Sequence, residues 1–491
     1  MGKVSSTSNK AIRSLSIQTI VTIGLGVIEI VSFSILSRLL SKEDFGYYAA
    51  VSAIVAIFAV FSNSGIGAAI IQKKEINLKY LNCAFSLSLF LGLTLSLLLF
   101  IFSETIASFI ADDSMTLPLM FMSSTLLLNC LTSVNRSLMY KRFQFAKVGI
   151  IELVSQTLTA VITILFAVKG FGYYAIIAKS VLYSFLTYLL TSLIVHVRFR
   201  IVFDKREALS IFRFSGWLMA SSVFREISAQ IDRLMMPNIL SVSLLGAYNR
   251  PKDFTNQISQ KINGIYDTAL FPVLSSIQDN RASMQNAYIK SLYYVNIFST
   301  LLSLGLIFNS NLVIRVFFGE QWLSLNVILQ IFSIVILFNA CGRLADCFLR
   351  SLALTKQQFI FRIFEAIIKT ASVIICSRWG ISGVAIAVVS SDAICKLIKI
   401  FYVGIKININ SRIIILLFFK SWRFIFVMIP LMVIANILLD YGYINIILNL
   451  ILFIFVFVVE FVLFPQFVGE EYKRFAYASL MKKFKNILLR I

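Results

Sequence analysis

The chain has 491 residues, of which 59% are hydrophobic and 14% charged, with a formal net charge of +22. A soluble domain carries about 25% charged residues, so this composition excludes a soluble enzyme or regulator. Apolar runs of about twenty residues, each long enough to cross a bilayer as a helix, recur along the whole chain, whereas a membrane barrel would show short alternating segments.

Fourteen spans are predicted, near 12–36, 45–70, 80–102, 117–139, 147–168, 171–196, 211–237, 245–273, 286–309, 323–349, 359–377, 381–403, 413–438 and 443–467. The first follows a basic segment bearing Lys3, Lys10 and Arg13, and it is long and lacks a small-residue cleavage site. We therefore read it as a retained span and not a signal peptide.

Placing the N-terminus in the cytoplasm distributes the cations almost loop by loop. One side collects Lys73, Lys74 and Lys79; Lys141, Arg142 and Lys147; Arg198, Arg200, Lys205 and Arg206; Arg281; Arg350 and Lys356; Lys406 and Arg412. The tail adds Lys473, Arg474, Lys482, Lys483, Lys485 and Arg490 to that side. The opposite side has scattered Lys42, Lys169, Arg315 and Arg378, with Asp112 and Asp113 in one loop. This is the positive-inside asymmetry. It accounts for most of the positive charge, so nucleic acid is not an expected partner. Both termini are expected in the cytoplasm, and membrane lipids are the expected surroundings.

Cys83, Cys130, Cys341, Cys347, Cys376 and Cys395 all fall in apolar spans without zinc or redox spacing. The one histidine, His196, has no second histidine or acidic cluster beside it. No metal or cofactor is expected.

The chain repeats itself. FGYY at 45–48 is echoed by LGAY at 245–248, the stretch 137–156 by 350–369, and 170–180 by 380–391, at offsets near 200 to 213. This predicts an all-α polytopic protein built from two six-helix lobes, 1–205 and 206–410. Two extra spans at 411–468 and a basic cytoplasmic tail at 469–491 complete it. Parallel lobes around a midplane site are a common transporter plan.

Polar stripes mark the first two spans of each lobe. In span 8, Asp253, then Asn256 or Gln257, then Gln260, Gly264 and Asp267 recur at steps of three or four along about 21 Å of one helix face; Arg250 precedes them and Lys261 lies beside them. In span 7, Glu226, Gln230 and Arg233 form a row, flanked by Arg225 and Asp232. Span 1 carries Gln18, Thr22 and Glu29 and ends on Arg38, and span 2 carries Tyr48, Ser52 and Asn63. A charge at mid-bilayer costs about 2.5–3.5 kcal/mol even on the lenient insertion scale, so these faces are expected to line a water-accessible cleft between the lobes. Glu152 and Glu365 are expected in structural ion pairs. For the row Arg343, Asp346 and Arg350, pairing and cavity roles stand equal.

Arg225 and Lys261 suit a phosphate. The amides Gln230, Asn256, Gln257 and Gln260, with Arg233 and Arg250, suit the remainder of a polar substrate. The carboxylates Glu29, Glu226, Asp232 and Asp267 are candidates for binding a coupling proton or sodium ion.

The stretch RLLSKEDFGYYAAVSAIVAIFAVFSNSGIGAAIIQKKEI (38–76) resembles the polysaccharide transporter family of the MOP exporter superfamily, through its Ser-x-Glu-Asp-Phe-Gly, Gly-x-Gly and Ile-Gln-x-Lys-Glu elements. Ser215-Gly216, Gln230-Ile-Asp232, Leu245-Gly-x-Tyr-x-Arg250 and Phe271-Pro272 extend the resemblance. Lys42 stands where that family often has Pro, and Gln230 where it often has Asn. The resemblance implies a Wzx-type flippase. Such a protein moves undecaprenyl-pyrophosphate-linked oligosaccharide from the cytoplasmic to the outer leaflet of a bacterial inner membrane, and could serve a polysaccharide polymerase; a monomer is expected, since one chain already contains both lobes. A drug or small-cation exporter of the same superfamily, or a peptidoglycan-precursor flippase, is the alternative. A membrane glycosyltransferase would need a sizeable extramembrane domain, and the gaps between spans, about ten to twenty residues, are too short for one.

Overall fold

The computed structural model describes residues 2–422, with 425, 429 and 430, except 64–65, 74–76, 111–112, 196–198 and 267–269; side chains are described from Val21 onward, except chiefly 212–221 and 261–265. Among the described residues the regular elements are all helices, without strands. The helices are α1 Gly2–Leu39, α2 Lys42–Asn63, α3 Ile66–Gln72, α4 Leu78–Ile101, α5 Ser103–Phe109, α6 Thr116–Lys141, α7 Phe145–Val168 and α8 Tyr173–Val195. They continue with α9 Lys205–Ile239, α10 Val242–Ile265, α11 Phe271–Ser276, α12 Arg281–Phe308, α13 Ser310–Val313, α14 Asn326–Ser351, α15 Thr355–Cys376, α16 Gly380–Lys406 and α17 Ser411–Trp422.

Among the described residues, 8 helices are long and apolar enough to cross a membrane: those of spans 1–6, 9 and 10. Spans 7, 11 and 12 are also continuous helices (α9, α15 and α16), and α10 covers span 8 as far as Ile265; these four are not among those 8. Span 13 begins as α17. The rest of it, span 14 and the basic tail lie outside the described residues.

Local chemistry sets the helix starts. Asn77 caps α4 by accepting from the Tyr80 N–H at 2.7 Å, and Asn280 caps α12 from the Ser283 N–H at 3.0 Å. At α2 a capping box forms: Ser41 Oγ accepts from the Asp44 N–H, while Asp44 Oδ2 accepts from the Ser41 N–H at 2.9 Å. Asp44 Oδ1 also accepts from the Tyr173 N–H at 2.8 Å, which ties the start of α8 to the start of α2. In hydrocarbon a hydroxyl must find a partner within the protein. Thr159, Thr163, Thr191 and Ser333 accordingly donate to carbonyls four residues earlier in their own helices.

The chain forms two compact units. The first comprises 1–252, 314–328 and 362–388; the second comprises 253–313, 329–361 and 389–491. In the first, α4 packs on α6, α6 on α8, α7 on α1 and α8, and α2 on α9. In the second, α12 packs on α17, and the fully buried Tyr288 of α12 donates to the Ile400 carbonyl at 2.8 Å with its ring edge-on to Phe348.

Two turns repeat bond for bond. Phe143 has φ 56°, with Phe143 N–H donating to Tyr140 O and Gln144 N–H to Met139 O. Ala353 has φ 56°, with Ala353 N–H donating to Arg350 O and Leu354 N–H to Leu349 O. Every partner is displaced by 210 positions, the spacing that also separates the positive-φ glycines Gly170 and Gly380. The offset falls within the range seen in the sequence repeat.

Candidate functional site

Within the first unit, α9 and the first part of α10 carry a buried charge cluster. Asp232 is fully buried, and its Oδ2 accepts both from the Tyr248 hydroxyl and from Lys252 Nζ. Tyr248 and Lys252 are four residues apart, on one face of α10, so both reach the same carboxylate. Lys369 of α15 adds further positive charge nearby. Along α9, Gln230 Nε2 donates to Glu226 Oε1 at 2.8 Å, and Arg233 donates to Gln230 Oε1 at 3.1 Å. Thus the row expected on span 7 is a hydrogen-bonded chain. Arg225, beside it, is exposed.

Arg250 sits differently. It is 8% exposed, and its guanidinium lies 3.5 Å from the ring centroid of Phe33 and 3.9 Å from that of Phe45. Nε and Nη2 donate to Ser37 Oγ at 3.1 and 2.6 Å, and Nη2 donates to the Phe33 carbonyl at 2.8 Å. Segment 314–325 closes over the same place. Gln321 and Trp322 both donate to the Ser37 carbonyl, at 2.7 and 2.8 Å, and Arg38 donates to the Val316 carbonyl at 2.7 Å. Glu29 of α1 is half-buried, within electrostatic range of Lys179 on α8.

At the end of this unit bearing the cationic loops, Lys73 pairs with Glu207 at 2.7 Å and Lys79 with Asp204 at 2.6 Å. Asp204 also caps α9. The Lys79 ammonium, helped by the Glu207 and Arg206 N–H groups, holds its carboxyl down at about 2.

In the second unit, Asn256 and Gln257 of α10 are half-buried and Gln260 is exposed. The Lys261 side chain and all of Asp267 lie outside the described residues. Two acid–base pairs absent from the expected set are buried here: Asp346 with Lys399 at 2.9 Å, and Asp392 with Lys396 at 3.1 Å. Lys396 also donates to Asn339 Oδ1. Glu152 and Glu365, in the first unit, pair with Arg136 at 3.0 Å and Arg362 at 3.3 Å.

Sequence reasoning missed the buried cations Lys252, Lys396 and Lys399 and the half-buried Lys179. The available signal was the spacing of Asp392 and Lys396 at i, i+4 inside an apolar span, and of Lys252 four residues after Tyr248.

A family model described as "Polysaccharide biosynthesis protein" matches residues 35–327, which takes in α9, α10 and, apart from Phe33, the Arg250 environment. The chain belongs to this polysaccharide biosynthesis family. Among relatives, it is 25% identical to the lipopolysaccharide biosynthesis protein WzxC of Escherichia coli (strain K12) over 407 residues, covering 81% of this chain and 80% of WzxC. In fold it is similar to lipid II flippase MurJ in an inward closed conformation, with TM-score 0.73 and 16% identity, over 91% of this chain and 98% of MurJ. It is also similar to an inward-facing multidrug resistance MATE transporter of the MOP superfamily, with TM-score 0.63 and 15% identity, over 81% of this chain and 98% of that one. The family protein described here is therefore a multi-pass membrane protein with a MurJ/MATE-like helical fold, and in bacteria its place is the inner membrane.

Proposed function

We propose that the protein is a flippase. It carries undecaprenyl-pyrophosphate-linked oligosaccharide from the cytoplasmic to the outer leaflet by alternating access. One observation carries this: the family match encloses the two helices on which charge and amides concentrate, α9 and α10. Arg225 and Lys261 dock the pyrophosphate, for which guanidinium and ammonium groups are suited. Gln230, Arg233, Asn256, Gln257 and Gln260 meet the sugar hydroxyls, while the prenyl tail stays in lipid. Glu29, Glu226, Asp232 and Asp267 are the carboxylates through which an ion gradient would be coupled; Asp232 would exchange its internal partner Lys252 in doing so. The protein acts as a monomer, and the oligosaccharide it delivers would feed a polymerase.

The test is flipping of a lipid-pyrophosphate oligosaccharide in proteoliposomes by wild type and by Arg225→Ala plus Lys261→Ala. Loss of flipping in a well-folded double variant is expected. Flipping by both proteins would discard this docking site and leave the substrate class intact. Movement of a peptidoglycan precursor alone would shift the substrate to the chemistry named in the MurJ structure.

A further inference from the structure

The starts of α2 and α10 meet backbone to backbone. A Cβ built on Gly46 would collide with the carbonyl oxygen of Val242, and one built on Gly246 with the carbonyl oxygen of Lys42. Each struck carbonyl lies four residues before the opposite glycine, so the contact is reciprocal, as across a twofold axis. The two surfaces are the matched motifs of the internal repeat, F-G-Y-Y and L-G-A-Y. Small residues are what let membrane helices approach this closely.

Around the crossing, a set of ties joins residues of the first repeat to residues of the second. Arg250 clasps Ser37 and Phe33 of α1 and stacks on Phe45 of α2. Gln321 and Trp322 hold the Ser37 carbonyl, Arg38 holds the Val316 carbonyl, and Lys42 Nζ donates to Ser324 Oγ at 3.2 Å. Phe318 and Trp322 pack edge-on against Phe33 and Phe45 at 5.1 and 5.7 Å. The turn between α1 and α2 lies at the end opposite the cationic loops.

We propose that this junction is the extracytoplasmic gate of the transport path, with the Gly46–Gly246 crossing as its stop and Arg250 as its latch. This rests on the transport reading above. The chemistry suits a reversible closure. Two glycine faces seal without side chains having to repack. A guanidinium held by a hydroxyl, a carbonyl and two ring faces can give up those contacts to water as the gap opens, so opening strands no charge in a dry interior. It also assigns Arg250 a role distinct from contact with the sugar.

The test uses full-length protein with Lys42→Cys and Ser324→Cys, joined through two disulfides by a short bis-methanethiosulfonate reagent, with each single-cysteine variant as control. The native cysteines among the described residues are buried or half-buried. Cross-linking is expected to abolish flipping, and reduction to restore it. Read without substrate, the cross-link yield is expected to fall several-fold in Gly246→Ala, and also in Arg250→Lys, which retains the charge and avoids a backbone collision. Equal yields in all three backgrounds would overturn the gate, as would undiminished flipping by fully cross-linked protein. Absence of flipping in every sample, cross-linked or not, would overturn the transport reading, while the yields still decide whether the crossing closes this end.

Discussion

Helix α10 changes character along its length. Residues 245–252 hold their polar groups inward: Tyr248 and Lys252 on Asp232, and Arg250 on Ser37 and Phe33. Residues 256–260 present Asn256 and Gln257 half-buried and Gln260 exposed. Yet in sequence both stretches show the same dense run of charge and amide. The difference teaches that polarity in a membrane helix has two origins. One is the need to satisfy a charge already committed to the interior, and the other is the need to meet something that comes and goes.

Substitutions can break or sharpen that contrast. The largest effect is expected at the Asp232–Lys252 pair. Asp232→Asn or Lys252→Met, by leaving one buried charge alone, is expected to cost about 3–5 kcal/mol. The double replacement should cost less than the sum of the two singles, in a double-mutant cycle read from unfolding midpoints in detergent. Additive losses would show that the pair is not coupled. Arg250→Lys comes next. It keeps the charge but loses the planar stacking and the forked donors, and is expected to lower stability by about 1–2 kcal/mol, measured in the same way. The smallest stability effect is expected at Asn256→Leu and Gln260→Leu, within about 0.5 kcal/mol of wild type, accompanied by a several-fold loss of flipping. Destabilisation as large as at Arg250 would erase the distinction between the two parts of the helix.

Much of this was legible beforehand. Apolar rhythm located α9, α10, α15 and α16 although none of them is among the 8 helices that qualify as spans by length and composition. The Ser-x-Glu-Asp-Phe-Gly element was visible as a motif, and four of its residues now have a physical reason. Ser41 and Asp44 cap α2, Asp44 holds the start of α8, Phe45 stacks on Arg250, and Gly46 admits α10. Arg250 was expected to meet substrate; its clasp on Ser37 and Phe33 was not legible, because helical periodicity gives the face of a residue and not the neighbour on that face. Its partners are 213 and 217 positions away in sequence. Lys399, 1% exposed, escaped notice for the same reason: its carboxylate comes from Asp346 on another helix.

The most direct measurement reconstitutes the wild-type protein and follows two candidate cargoes in parallel, a lipid-pyrophosphate oligosaccharide and a lipophilic drug cation, under imposed proton and sodium gradients. Transbilayer movement of the oligosaccharide lipid without extrusion of the drug is the predicted result. Drug extrusion with the lipid left in its original leaflet would contradict it, and would make this protein an exporter of the kind its MATE-like fold also serves.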